Sequence, residues 1–374
     1  MKISIIVPIY KGKKYVPKMI SQLEECQKQL PKEVSLELVL SNDDPEEDVD
    51  FSDVQTGLDV VVLNTDVNNG IHGARVRGLQ HAKGQYILFL DQDDKITNNY
   101  FKSQLAILGE DDAVVCGCIH ENRIFYNEFR PMRSVIKKEK MIGEYNHIVS
   151  PGQVLIRKDA IPQAWGKNVL TINGADDWFL WILLFSSNRK IVINEEVLFE
   201  HVVERNNASF NTWRMYSSEN EVLEIIKKNR LLPQNEIALL QNAINNMLYL
   251  YLNDLDKMKK QFYICNQWIA RIYEKCGVGE KLGEEGIHSI AIYGCNEIAR
   301  NLNKALETQG FEVLYFIDKN AKYINEIKPV YSLEDKLRPV DMIIIALVQH
   351  EEEIKLELEN IGCTKVMTIN EILS

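Results

Sequence analysis

Over roughly the first 200 residues, apolar β-branched runs alternate with amphipathic stretches, the pattern of a parallel α/β sheet carrying helices on its faces. The runs predict strands at Ile3–Ile9, Leu36–Leu40, Val60–Leu63, Tyr86–Leu90 and Ala113–Ile119. Each is nearly all apolar, as expected of a strand covered on both faces. Amphipathic spacing predicts helices at Val16–Gln29, Gly73–His81 and Tyr100–Leu108. After Ile119 the alternation loosens. The polar stretch 120–149, with Arg130, Arg133 and the run Lys137–Lys140, reads as loop-rich, and that charge run as solvated. A strand is expected again at Val154–Ile156. The all-apolar run Trp178–Phe185 reads as a buried helix, with Trp178 and Trp181 in the core.

From Thr212 to about Lys281 glycine and proline almost vanish, and Ile237, Leu240, Ile244, Met247, Leu248 and Tyr251 recur at helical spacing. Gly277, Gly279, Gly283 and Gly286 then mark a boundary. Beyond it the pattern restarts, with strands at Ser289–Tyr293, Val313–Ile317 and Asp341–Leu347, as in a small Rossmann-like unit. The expected division is an α/β domain over 1–211, a helical connector over 212–286 and a Rossmann-like domain over 287–374.

Composition narrows the function classes. The 374-residue chain is 45% hydrophobic and 26% charged, with a formal net charge of −11. An acidic chain without basic clusters argues against general nucleic-acid binding. It leaves room for an anionic ligand held by a few arginines or a metal. Seven scattered cysteines fit a reducing compartment better than a disulfide scaffold. No apolar run reaches the length of a membrane span, and Met1–Tyr10 is too short and too β-branched for a signal peptide. A cytoplasmic protein is expected, with room for peripheral association at the inner face of a membrane.

The chemistry concentrates after strands. Asp91-Gln92-Asp93-Asp94 follows the predicted strand Tyr86–Leu90, where open α/β sheets bind ligands. Carboxylates packed there need a cation, and oxygen donors suit Mg²⁺ or Mn²⁺ bridging to phosphates; the plainer reading is an acidic turn before the next helix. Asn68-Asn-Gly70 opens the helix carrying Arg75 and Arg77, which lie on different faces, so at most one should point at a site. Arg75 could grip a diphosphate or a base edge through its planar fork, or be a surface arginine. Asn42-Asp43-Asp44-Pro45 is either a binding turn or an ordinary Asx turn. Asp177 stands in the first turn of the Trp178 helix, where it is either a functional carboxylate or a cap, with a pKa expected to be lowered by the helix dipole.

Together these segments resemble the family 2 glycosyltransferases of the GT-A fold, a mostly parallel α/β nucleotide-sugar-binding domain, from Ser4 to about Ser209. Ser4-Ile-Ile-Val-Pro8-Ile-Tyr10 is similar to the family's opening strand, Asn42–Pro45 to its base-binding turn, and Asn68–Gly78 to its Asn-x-Gly-x-x-x-Ala-Arg segment, with Val76 where Asn is usual. Asp91–Asp94 resembles its metal-binding Asp-x-Asp-Asp. The resemblance implies that Pro8, Tyr10, Asp43, Asn68, Gly70, Arg75, Asp91 and Gln92 meet the nucleotide, and that Asp93, Asp94 and His201 hold Mn²⁺ or Mg²⁺. It implies Asp177 as catalytic base, with Asp176 replacing the usual Glu, and Ser150–Gln153 lining the acceptor or sugar pocket.

The activity so implied is inverting transfer from a nucleotide-diphosphate sugar, UDP-linked first, to a glycan, glycoprotein or lipid-linked acceptor, in bacterial surface polymer synthesis. The alternative is a non-catalytic nucleotide-sugar binder or assembly protein. A nucleotidyltransferase is disfavoured, since Tyr10-Lys-Gly-Lys-Lys14 is not its glycine-rich loop. In the C-terminal unit, Gly294-Cys-Asn-Glu-Ile-Ala299 with Asp318 is a degraded dinucleotide fingerprint, with Asn296 in place of the middle glycine. Packing or homo-oligomer formation through the helical or C-terminal region is the favoured reading there.

Overall fold

The computed structural model describes residues 1–49, 56–187, 189–202, 211–273, 277–362 and 365–373. The end of the resemblance at Ser209 lies outside them. Two compact units result, Met1–Tyr249 and Leu250–Ser374, and the stretch 212–286 is divided between them.

In the first unit the elements run β1 (Lys2–Ile9), α1 (Val16–Lys28), β2 (Ser35–Asn42), β3 (Asp59–Leu63), α2 (Gly70–His81) and β4 (Tyr86–Phe89). There follow β5 (Lys95–Ile96), α3 (Tyr100–Leu108), β6 (Ala113–His120), β7 (Arg123–Ile124), α4 (Met132–Val135) and α5 (Lys138–Gly143). Then come β8 (Val154–Arg157), α6 (Gln163–Lys167), α7 (Asp176–Ser186), β9 (Ile191–His201) and α8 (Thr212–Asn229). The sheet order is β3-β2-β1-β4-β8-β6-β9-β5, with β7 on β6.

Strands β3, β2, β1 and β4 are parallel, so the carboxyl ends of β1, β2 and β4 open on one edge, where ligands bind in such sheets. Ile3, Ile5, Ile6 and Val7 have no exposed surface, which is why β1 shows no polar alternation. Its one buried polar residue, Ser4, donates to the buried Glu37 on β2, and Glu37 also accepts the Lys83 N–H at 2.8 Å. Beyond β4 the sheet is mixed. Strand β8 runs antiparallel to β4 and β6.

The last pairing sets the site. Strand β5 lies antiparallel to β9, with Lys95 opposite Glu200 and Ile96 opposite Phe199. One step further along the ladder brings Asp94 to His201.

One sequence expectation is corrected here. The stretch read as loop-rich contains α4 and α5, and the run Lys137–Lys140 is not simply solvated: Lys138 pairs with Glu236 at 2.7 Å and Lys140 with Glu144. Met141 and Ile142 are buried, and the Met141 carbonyl accepts the indole N–H of Trp178 at 2.8 Å. So few apolar residues among charges leave no readable period. Strand β9 has no counterpart among the expected strands, because Asn194-Glu195-Glu196 interrupt its apolar run and the β6 ladder shifts register there.

Helix α9 (Gln234–Tyr273) contributes residues to both units. In the second, α10 (Glu280–Glu284), β10 (Ser289–Tyr293), α11 (Glu297–Thr308), β11 (Glu312–Ile317), β12 (Val330–Tyr331), β13 (Met342–Ile345), α12 (Glu351–Asn360), β14 (Val366–Thr368) and α13 (Ile369–Leu373) follow. Its sheet, β12-β11-β10-β13-β14, is parallel throughout. That is the strand order of a doubly wound sheet.

Candidate active site

At the edge formed by β1, β2 and β4, the chain turns outward after Pro8, which is buried, and Tyr10, which is half exposed. The Gln92 carboxamide brackets Tyr10: its Oε1 accepts the Tyr10 N–H at 3.1 Å and its Nε2 donates to the Tyr10 carbonyl at 3.2 Å. Gly12 leaves room for this, since a Cβ there would come 1.8 Å from Gln92 Oε1. Asp43, at the end of β2, is buried and accepts the Asn69 N–H at 3.0 Å. Burial raises its pKa, against the pull of that N–H and of Arg77. Arg77 Nη1 lies 3.6 Å from Asp43, and its Nη2 donates to the Asn42 carbonyl at 2.6 Å. Both arginines of α2 therefore reach the ligand edge, where at most one was expected. At the start of α2, Gly70 adopts φ +74° and its N–H donates to Asn68 Oδ1 at 3.0 Å. Asn68 thus shapes the turn that presents the helix N-terminus.

Arg75, expected to grip a ligand, holds two carboxylates instead. Its Nη1 donates to Asp176 at 2.6 Å and its Nη2 to Asp91. The guanidinium is almost wholly buried, and its two acidic partners keep it charged against the cost of burial. One side chain thereby joins the β4 edge to the first turn of α7. Asp176 is buried, and its carbonyl accepts the Trp165 indole N–H at 2.8 Å.

Asp177 is less enclosed than Asp176 and accepts from Asn146 Nδ2 at 3.0 Å. Its pKa is pushed up to about 7 by burial and then by the Asp176 charge, with Arg75 pulling the other way. The dipole argument from sequence pointed downward. The neighbouring charge and the loss of water outweigh the helix terminus, since desolvation of a carboxylate shifts its pKa by more than a partial charge does.

The third group is Asp93, Asp94 and His201. Burial and the charges of Asp94 and Asp91 push the Asp93 carboxyl up to about 7. Asp94, expected as a metal ligand, has no exposed side-chain surface. Its Oδ1 accepts from His201 Nδ1 and the Val202 N–H, both at 2.9 Å, and its Oδ2 from Ser150 Oγ at 2.8 Å. Asp94 is therefore spent on orienting His201. Accepting the Nδ1 proton leaves the lone pair on Nε2, as in metal-ligating histidines backed by a carboxylate. The His201 pKa is raised, because burial, which opposes its charge, is outweighed by Asp94.

Among the described residues no three His, Cys, Asp or Glu side chains converge on one point. A closed all-protein cage is thus not what this donor set offers. One carboxylate oxygen donor and one imidazole fit a Mg²⁺- or Mn²⁺-type ion that completes its shell with substrate phosphates and water. The upward push on Asp93 records negative charge that Arg75, committed to Asp91 and Asp176, does not answer.

Sequence reasoning missed Arg77, Asn146 and the Asp94–Ser150 bond. Asn146 sits in the stretch read as loop, and nothing in its spacing marks it. Gln153 proves structural: it is fully buried, with its Oε1 accepting the Val149 N–H at 2.7 Å and its Nε2 donating to the Cys116 carbonyl at 2.9 Å. In the second unit Asp318 accepts the Cys295 N–H at 3.1 Å, and Asn296 caps α11 by accepting the Ala299 N–H at 2.9 Å. The degraded fingerprint is satisfied by its own backbone.

Comparison with known proteins bears on the first unit. Residues 4–165 match the family described as glycosyl transferase family 2. The match covers less than half of the 374-residue chain. An uncharacterised glycosyltransferase of Haemophilus influenzae is 32% identical over 117 residues, 30% of this chain and 44% of that protein. The poly(ribitol-phosphate) β-N-acetylglucosaminyltransferase TarS of Staphylococcus aureus is 32% identical over 114 residues, 29% of this chain and 19% of TarS. The chain thus spans less than half the length of these relatives. A crystal structure of S. aureus TarS 1–349 in complex with UDP-GlcNAc aligns at a TM-score of 0.48 and 19% identity, covering 66% of this chain and 72% of that one. The first unit itself is an α/β sheet with β1, β2 and β4 opening on one edge. The family match stops before α7 and β9, so Asp176, Asp177 and His201 join the site through the geometry above.

Proposed function

We propose that the chain is an inverting glycosyltransferase that moves a sugar from a UDP-linked donor, with N-acetylglucosamine first among candidates, to an acceptor hydroxyl of a bacterial surface polymer. The donor choice leans on TarS, whose name states that sugar and a poly(ribitol-phosphate) acceptor. The observation that carries the reading is the Arg75 clamp. It ties Asp91, on the donor edge, to Asp176, and so holds Asp177 where a carboxyl with a pKa near 7 can take a proton from an attacking hydroxyl.

In this reading Asp43 and the Tyr10–Gln92 pair face the base, and Asn68 and Gly70 shape the helix terminus toward the diphosphate. Asp93 and the Nε2 of His201 would hold Mg²⁺ or Mn²⁺, which supplies charge neutralisation for the departing diphosphate. Asp177 accepts the acceptor proton as the hydroxyl attacks the anomeric carbon from the face opposite the leaving group, and a single displacement inverts configuration. One carboxylate base suffices because a diphosphate departs without the general acid a glycosidase needs. Ser150 and Asn146, beside these carboxylates, border the acceptor side. The second unit, with its fingerprint satisfied internally, is a Rossmann-like accessory module rather than a nucleotide site.

The test is Asp177→Asn. Transfer from UDP-GlcNAc and its slow hydrolysis with Mn²⁺ should fall by at least about a thousandfold, while calorimetric binding of UDP-GlcNAc stays within about twofold. Parallel loss of binding and turnover would make Asp177 a helix cap. Tight UDP-sugar binding with no hydrolysis by the wild type would make the protein a binder.

A further inference from the structure

The 40-residue helix α9 carries an unexplained face. Within the second unit Leu255, Met258, Phe262, Cys265, Ile269 and Ile272 follow one another in alternating steps of three and four. That is the a/d spacing of a two-helix seam, narrower than the stripe by which a helix covers a sheet. Most of these side chains are turned outward: Met258 is 54% exposed, Phe262 69%, Ile269 50% and Ile272 63%, Cys265 is exposed and Leu255 is half-buried. The helix meets its own unit with a different face, where Ile264 is buried and Trp268 packs beside it against the second core. A third face is charged and carries the ion pair Lys260–Asp256 at 3.3 Å.

We infer that this seam is the contact surface for a second copy of the chain, pairing α9 with α9. Three observations select that occupant. The heptad step keeps a seam in register only against another helix, and a second copy offers a helix of the same length and spacing, which is what a two-fold contact requires. The six side chains, with the stems of Leu252 and Lys259 beside them, present roughly 600–800 Å², beyond the largest apolar patch of most monomers and close to the ~800 Å² each partner buries in a stable interface. The face is also narrow. Lys259 alone of the three lysines borders the seam, and Lys257 and Lys260 stand away from it, whereas a helix lying in a membrane surface needs a broad apolar face with basic flanks.

The test is the mass of the full chain in solution by light scattering and sedimentation, in the micromolar range. The wild type should be a dimer. The double variant Phe262→Glu with Ile269→Glu should be monomeric, its dissociation constant raised at least about a hundredfold, with an unchanged circular-dichroism spectrum and unchanged UDP-GlcNAc binding. Tyr263→Glu, equally exposed at 62% but off the seam, should remain dimeric. A monomeric wild type would overturn the inference, as would equal weakening by both variants. A monomer that binds phosphatidylglycerol vesicles through Phe262 and Ile269 would reassign the face to a membrane.

Discussion

Asp93 and Asp177 keep their protons to about pH 7 in the folded chain, whereas an unfolded aspartate releases its proton near pH ~4. Between those limits the folded state binds more protons, so stability should fall as pH rises from about 4 to about 7. Melting temperatures across that range would show the decline. Saturating Mn²⁺ should flatten it, because a cation beside Asp93 holds that carboxyl ionised. Turnover should run the other way and rise as Asp177 loses its proton near pH ~7, at saturating donor and metal. Arg75 allows a stability prediction. Arg75→Met strands Asp91 and Asp176 without their shared cation and should cost about 3–5 kcal/mol of unfolding free energy, read from urea midpoints. Its loss should also misplace Asp177.

At the scale of elements, the β5–β9 ladder and the turn before β8 act together on one imidazole. Ser150→Ala removes a donor from Asp94 and leaves the His201 ring less firmly oriented. Mn²⁺-dependent UDP binding should weaken about tenfold, while metal-independent UDP binding barely moves, in paired calorimetric titrations. The elements that built the sheet edge at this site were legible beforehand because β1, β2, β4 and β6 are buried on both faces and read as apolar runs, interrupted mainly by the paired Ser4 and Glu37. Their ends delivered Tyr10, Asp43 and Asp91–Asp94 to one edge by topology alone. Other parts of the site depend on long-range contact, which leaves no local period. Asn146 reaches Asp177 across 31 residues and His201 reaches Asp94 across 107. Arg77 was set aside because helical angle separates it from Arg75, yet long guanidinium stems reach the same edge from neighbouring faces.

For the molecule as a whole, two compact units in one chain predict two calorimetric transitions. UDP-GlcNAc with Mn²⁺ should raise only the transition of the Met1–Tyr249 unit. A shift of both would assign the second unit a share in binding. The Arg75 clamp has a further consequence for how this protein comes to be active. Its partners Asp91 and Asp176 stand 16 and 101 residues away along the chain. The donor edge is synthesised and can collapse long before α7 emerges. Until Asp176 docks, the guanidinium has only Asp91 as a partner, and Asp177, one residue on from Asp176, has no fixed position. The clamp therefore ties the placement of Asp177 to the docking of a segment made 101 residues after Arg75.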